Sequence, residues 1–206
     1  TVKWHDGSPL SAGDFVMNMI LSFDPGKTES KMYDEALALS INATLSAFKG
    51  YRIVSTDPLT IEAYSDTYNT NAELNILTLW PQDLYGLGYE NSWPVLAVSN
   101  LAEVNGELAY SEDKAGALEV EQTNWVGGPS LEVLGKYLDQ AATESHIPYA
   151  ATMSQFVTKE EADLRYANLK QWVADHGHYM VGTGPYYLDQ AFTTEKSVVL
   201  KHFADF

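Results

Sequence analysis

Val2-Lys-Trp-His-Asp-Gly-Ser-Pro-Leu-Ser-Ala-Gly-Asp-Phe-Val16 packs a strand-like run, a turn and a helix start into one short stretch. His5-Asp6-Gly7-Ser8-Pro9 has turn composition, Gly7 supplying the positive φ that a tight turn demands. Ser11 and Asp14 stand at capping-box spacing, with Asp in place of the preferred Glu or Gln. Phe15, Met19, Ile20 and Phe23 then recur at helical spacing, so they are expected to face a core until Asp24-Pro25-Gly26 ends the helix.

Outward from this start, the spacing predicts a second helix over about 33–48. Next comes a β-hairpin of Tyr51–Val54, the turn Ser55-Thr-Asp-Pro58 and Leu59–Tyr64. Leu59, Ile61 and Ala63 alternate with Thr60, Glu62 and Tyr64, as a half-buried strand should. Asn71–Leu79 is apolar and reads as either helix or strand. From about Pro81 to Gly128 no clean period is visible, and an irregular excursion is expected. Leu131, Leu134, Leu138 and Ala141 mark a helix after Ser130. Thr158-x-x-Glu161 is a full capping box ahead of Ala162, Leu169, Trp172 and Val173, and Gly177 stops that helix. Tyr186–Leu188 and Ser197–Phe203 are expected to pair as strands. The fold class is therefore α/β (α+β), a small sheet with packed helices.

Composition bounds the function. The chain has 206 residues, of which 45% are hydrophobic and 12% aromatic, enough to bury a core. A net charge of −16 repels phosphate backbones and anionic lipid, which argues against nucleic acid and against a basic membrane patch. With no cysteine, disulfides and thiolate chemistry are excluded. No apolar run approaches the roughly 20 residues that span a bilayer, so no direct membrane insertion is expected. The run from Thr1 has no initiator Met, and the last strand-like run stops close to Phe206, so we expect a piece of a longer protein.

Candidate chemistry is sparse. Ser111-Glu-Asp-Lys114 fits the S-x-x-K pattern in which a Lys helps deprotonate a Ser nucleophile, but no Lys-Thr-Gly or Ser-Asp-Asn companion accompanies it. His176 and His178 flank Gly177 at a helix end, where His near the last carbonyls is a common structural feature, so they are read as structural rather than as metal ligands. Gly182-Thr183-Gly184 lacks the Lys of a phosphate-binding loop, and Pro185 removes a donor. No catalytic residue, metal site or cofactor is expected.

Two segments carry a family resemblance. Val2–Val16 resembles the Lys-Trp-Ser-Asp-Gly-x-Pro-(Leu/Val)-Thr-Ala-x-Asp-(Phe/Val)-Val signature of the family 5 extracellular solute-binding proteins, the peptide, dipeptide, nickel and opine receptors of ABC importers. Val181-Gly-Thr-Gly-Pro-Tyr-Tyr-Leu188 is similar to the same family's Gly-Thr-Gly-Pro-Tyr motif, and the runs 50–63 and 198–206 resemble its hairpin and following strand. The resemblance implies an accessory lobe of a bilobal periplasmic-binding-protein-like fold over 1–180, with the first strands of the ligand-binding lobe at 181–206. The two signatures stand farther apart than is usual in the family, so about 85–178 reads as a large insertion. It further implies an extracytoplasmic location, with or without a lipid anchor, capture of a small solute or peptide, and delivery to an ABC transporter permease. Tyr33, as nearest counterpart of a peptide-contacting Tyr, and Thr183 and Tyr186, at the return to the main lobe, are the implied ligand-binding residues. Two other readings stay open: an interaction module docking a permease or surface partner through the insertion, and a serine hydrolase using Ser111.

Overall fold

Asp14 organises the start of the chain. In the computed structural model, which describes residues 2–68, 70, 71, 73 and 91–206, α1 runs over Ala12–Leu21. Asp14 Oδ2 accepts the Ser11 backbone N–H at 2.9 Å, the reciprocal half of the capping box expected from the sequence. After a 3₁₀ turn at Asp24–Gly26, α2 spans Glu35–Ala47, capped by Asp34, whose carboxylate accepts the Ala36 N–H at 3.0 Å. Among the residues of α2 only Ile41 is buried, and a Cβ on Gly26 would stand 2.6 Å from Ile41 Cγ2. The bare glycine is what lets that one side chain seat.

Strands β1 (Phe48–Thr56) and β2 (Leu59–Ser65) form the expected antiparallel hairpin, lengthened at both ends, with a bulge between Ile53 and Ser55. The apolar run 71–79 lies almost wholly outside the described residues.

The expected irregular excursion is corrected in its described part. Trp93–Val104 is a helix, α3, and ten of its residues, Trp93 to Asn100 with Ala102 and Glu103, are buried. A helix buried on nearly every side has no polar face, so it shows no amphipathic period. The short strand β3 (Leu108–Ala109), α4 (Glu112–Leu118) and β4 (Glu121–Gln122) follow, β3 and β4 pairing in parallel. Then come α5 (Ser130–Glu144), α6 (Ala150–Met153) and α7 (Lys159–His176). Thr158 Oγ1 accepts the Glu161 N–H at 3.1 Å, and Gly177 closes α7 at φ +73°. The antiparallel hairpin β5 (Tyr186–Phe192) and β6 (Ser197–His202) comes last. Small sheets beside packed helices make this an α/β mix. Among the described residues, no helix is long and apolar enough to cross a membrane.

The core joins the beginning of the chain to its middle. Trp4, Val16, Met17 and Leu21 pack with Trp93, Leu96, Leu134, Leu138, Met153, Leu169 and Trp172. The stretch expected as an insertion therefore supplies most of the buried apolar residues among those described. α1 turns a different face inward from the one its spacing suggested: Val16, Met17 and Leu21 are buried, while Phe15, Met19, Ile20 and Phe23 are only half-buried. The helix is apolar on two sides, and its neighbours decide which side becomes core.

The hub of the core is polar. Asp14 accepts Arg165 Nη2–H at 2.8 Å, Trp4 Nε1–H at 3.0 Å and the Trp93 backbone N–H at 3.0 Å, besides the Ser11 N–H. Arg165 also donates to the Pro9 carbonyl at 2.9 Å, and its side chain is wholly buried. One carboxylate thus ties the N-terminal turn, α1, α3 and α7. At the surface, Lys3 Nζ meets Asp205 Oδ2 at 2.6 Å.

Gly13 sits where α1 meets the chain ahead of α7, and a Cβ there would collide with Val157 Cγ2. Gly13→Ala is expected to lower stability by about 1–3 kcal/mol through overpacking, despite the better helix propensity of Ala. Urea unfolding measures it; an unchanged or raised midpoint would show that Val157 yields freely.

Candidate functional site

Among the described residues, an open cleft of about 910 Å³ lies between α1, β1 and the segment around α6. α1 contributes Met19 and Ile20, and Phe23 follows just beyond its end, all three from the apolar stripe that the sequence placed in a core. β1 contributes Phe48, Tyr51 and the consecutive run Ile53–Thr56, and Thr152 and Phe156 close the far side. Phe23 and Phe48 stack with ring centroids 4.9 Å apart, and Phe48 lies 4.7 Å from Tyr51. Burial pushes the Tyr51 hydroxyl up to about 12, so the ring stays neutral and amphipathic at physiological pH. Lys27 stands at the rim, 3.5 Å from Asp24.

Side chains on a strand alternate between faces, so four consecutive lining residues mean that the cleft meets β1 at its edge. The bulge at Val54 produces this turn of the strand. Among the described residues β1 pairs with β2 alone. Apolar rings together with a strand edge suit a ligand that has both side chains and amide groups.

The residues implied by the resemblance lie elsewhere. Tyr33 is half-buried ahead of α2, its N–H donating to the Ser30 carbonyl at 3.1 Å. Thr183 is half-buried in the run leading to β5. Tyr186, at the start of β5, is 60% exposed and packs edge-on against His202. Thr183 and Tyr186 are near neighbours in the chain, but none of the three lines the cleft or the junction cavity described below.

Ser111 caps α4: its Oγ accepts the Lys114 backbone N–H at 3.1 Å and donates to the Asp34 carboxylate. The Lys114 ammonium is 2.6 Å from the buried carboxylate of Glu103, not on Ser111. The S-x-x-K spacing here builds a helix start and a buried ion pair.

A second cavity, about 410 Å³, lies where the two signature segments meet. His5, Asp6, Trp172, His176, Tyr187, His202 and Phe203 line it. The His5 backbone N–H donates to the Gly182 carbonyl at 2.8 Å, so the N-terminal turn and the Gly182-Thr-Gly184 run are stitched directly together. His5 and Phe203 pack edge to face at 4.9 Å, and Trp172 lies 4.0 Å from His176, centroid to centroid. His176 Nδ1 stands 3.4 Å from Asp189 Oδ1, and His178 reaches the Leu188 carbonyl at 3.0 Å. The helix-end histidines therefore hold the β5 strand. Among the described residues, no group of three or more His, Cys, Asp or Glu could hold a metal ion. Sequence reasoning missed this junction because its partners are some 180 residues apart. The one visible signal was the pairing of aromatic and His residues within each segment.

No protein-family model matches this chain, and no curated protein matches it either.

Proposed function

We propose that this chain is a lobe of an extracytoplasmic solute-binding receptor that captures a peptide-class solute and passes it to an ABC transporter permease. The single observation that supports this reading most is the aromatic cleft, with the edge of β1 along one wall. A peptide laid there would place apolar side chains on Phe23, Phe48 and Tyr51 and its amides against the strand. The cleft is open, so closure of a second lobe over the ligand would complete the site and shift the population toward the closed state. The resemblance in 2–16 and 181–188 points the same way.

The β5–β6 hairpin fits too. Every residue of β6 is exposed, Val198 and Leu200 at 59% and 58%, and an isolated two-stranded hairpin is marginal without a covering layer. A second lobe would be that layer. The same surface favours a protein-interaction module as the second reading.

One-sided contact makes the binding weak. A pool of short peptides rich in aromatic and aliphatic side chains is expected to bind with a Kd of about 10 μM or weaker. It should shift the NMR resonances of Phe23, Phe48, Tyr51 and Phe156. Tyr51→Ala is expected to weaken binding about tenfold, near 1.4 kcal/mol. Shifts confined to the exposed hairpin, or none with any peptide, would leave the docking module as the better reading. A submicromolar Kd would contradict the need for a second lobe.

A further inference from the structure

His5 and His178 are each held at both ring nitrogens by the backbone. A backbone N–H can only donate, so His5 Nδ1, 3.2 Å from the Gly182 nitrogen, is an unprotonated acceptor. The ring proton is therefore on Nε2, which donates to the Gly184 carbonyl at 2.9 Å. His178 repeats the pattern: Nδ1 accepts the Met180 N–H at 3.2 Å, and Nε2–H donates to the Leu188 carbonyl at 3.0 Å. Only the neutral Nε2–H tautomer satisfies both contacts at either ring. A second proton on Nδ1 would face an amide hydrogen, so a bond is lost and a repulsion takes its place.

Both carbonyls gripped in this way, Gly184 and Leu188, belong to the segment that carries the last hairpin. The other holds on it are the His5 N–H bond to Gly182, the surface pair Lys3–Asp205, His176 beside Asp189, and the packing of Tyr187 and Phe203 on Trp172 and His5, while β6 is exposed along its whole length. We propose that His5 and His178 form an acid-operated latch, which holds the segment 182–206 on the helical body near neutral pH and releases it on acidification while the core around α3 stays folded.

The surroundings favour the same direction. Burial is the largest influence on His5 and lowers its pKa from the ordinary 6.5; the Gly184 bond and Asp6 oppose it. Burial also dominates at His178 and lowers it, with His176 adding to the effect, while the Leu188 bond and Asp189 oppose it. A folded value below the free value means that the released form binds more protons. The latch is therefore intact above the ordinary value and is lost as the pH falls from it toward the folded values. Asp175 and His176 of α7, His202 of β6 and Asp205 share the cavity with His5. Lys201 of β6 pairs with Asp189 at 2.9 Å beside His178 and His176. Asp6 at His5 and Asp189 at His178 soften the penalty of protonation, and His176 adds to it at His178.

The test is amide hydrogen exchange on the full chain at about pH 7.5 and about pH 5, corrected for intrinsic rates. Exchange across 182–203 is expected to rise at least about tenfold at the lower pH, with the amides of α3 unchanged. The doubly substituted His5→Gln, His178→Gln chain, neutral at both pH values, should lose this dependence, and His202→Gln should keep it. Hairpin protection equal at the two pH values overturns the proposal. So does loss of protection in α3 together with the hairpin, or a double variant that retains the wild-type response. If the double variant does not fold, long-range ¹H–¹⁵N spectra of the native chain decide: Nε2–H tautomers at both rings are expected, and an Nδ1–H tautomer at either overturns the latch.

Discussion

Asp14→Ala is expected to lower the stability of this chain by about 3–5 kcal/mol. Arg165 is wholly buried, and its guanidinium is neutralised chiefly by this carboxylate at 2.8 Å, the Glu161 carboxylate standing back at 3.9 Å. Removing the acid strands a cation where water cannot reach it. It also strands three further donors, Trp4 Nε1–H and the backbone N–H groups of Ser11 and Trp93, each of which would have to move or stay unpaired. Asp14→Asn should recover part of the loss, because an amide oxygen still accepts from two of them. Arg165→Met should cost less than Asp14→Ala, since it removes the charge that the aspartate balances while the aspartate keeps its other donors. Urea unfolding of the three variants gives the order. A loss below about 1 kcal/mol for Asp14→Ala would show that Arg165 finds solvent and that the hub is not closed.

The second large effect is at Trp93. Its side chain is fully buried at the start of α3, edge to face with Tyr166 at 5.4 Å and with the Arg165 guanidinium 5.7 Å from the ring. Trp93→Ala is expected to cost about 3–5 kcal/mol, the transfer energy of the ring plus the cavity left among rigid neighbours. Trp93→Phe, which keeps most of the apolar volume, should cost less than half as much. Calorimetry or urea unfolding checks both. A small effect from Trp93→Ala would mean that α3 is not the centre of the packing. The same geometry bears on any attempt to test docking by deleting 85–178: that deletion takes out α3, α5 and α7 together, and with them the core.

Local signals were legible in the sequence. The caps at Ser11, Thr158 and Gly177, the hairpin of β1 and β2, and the pairing of β5 with β6 each depend on residues within a few positions of one another, where cap and turn chemistry act. α3 was illegible for a physical reason: a helix buried on nearly all sides has no periodic polar face to betray it. The inward face of α1 was misjudged because two apolar stripes compete on one helix and only tertiary packing chooses between them. That choice made the candidate site, since Met19, Ile20 and Phe23 are apolar residues which the core did not take. The Asp14–Arg165 pair and the His5 stitch were beyond reach. Both join residues more than 150 positions apart, and nothing in the spacing of either partner names the other.

The meeting of Lys3 with Asp205 and of His5 with Gly182 has a topological consequence. The path leaves and rejoins almost the same point, so the 175 or so residues between His5 and Gly182 form a closed side loop whose feet are bonded together. A circular permutant joined through a short bridge between the neighbourhoods of Lys3 and Asp205, which keeps Trp4 on Asp14, should retain the same packing.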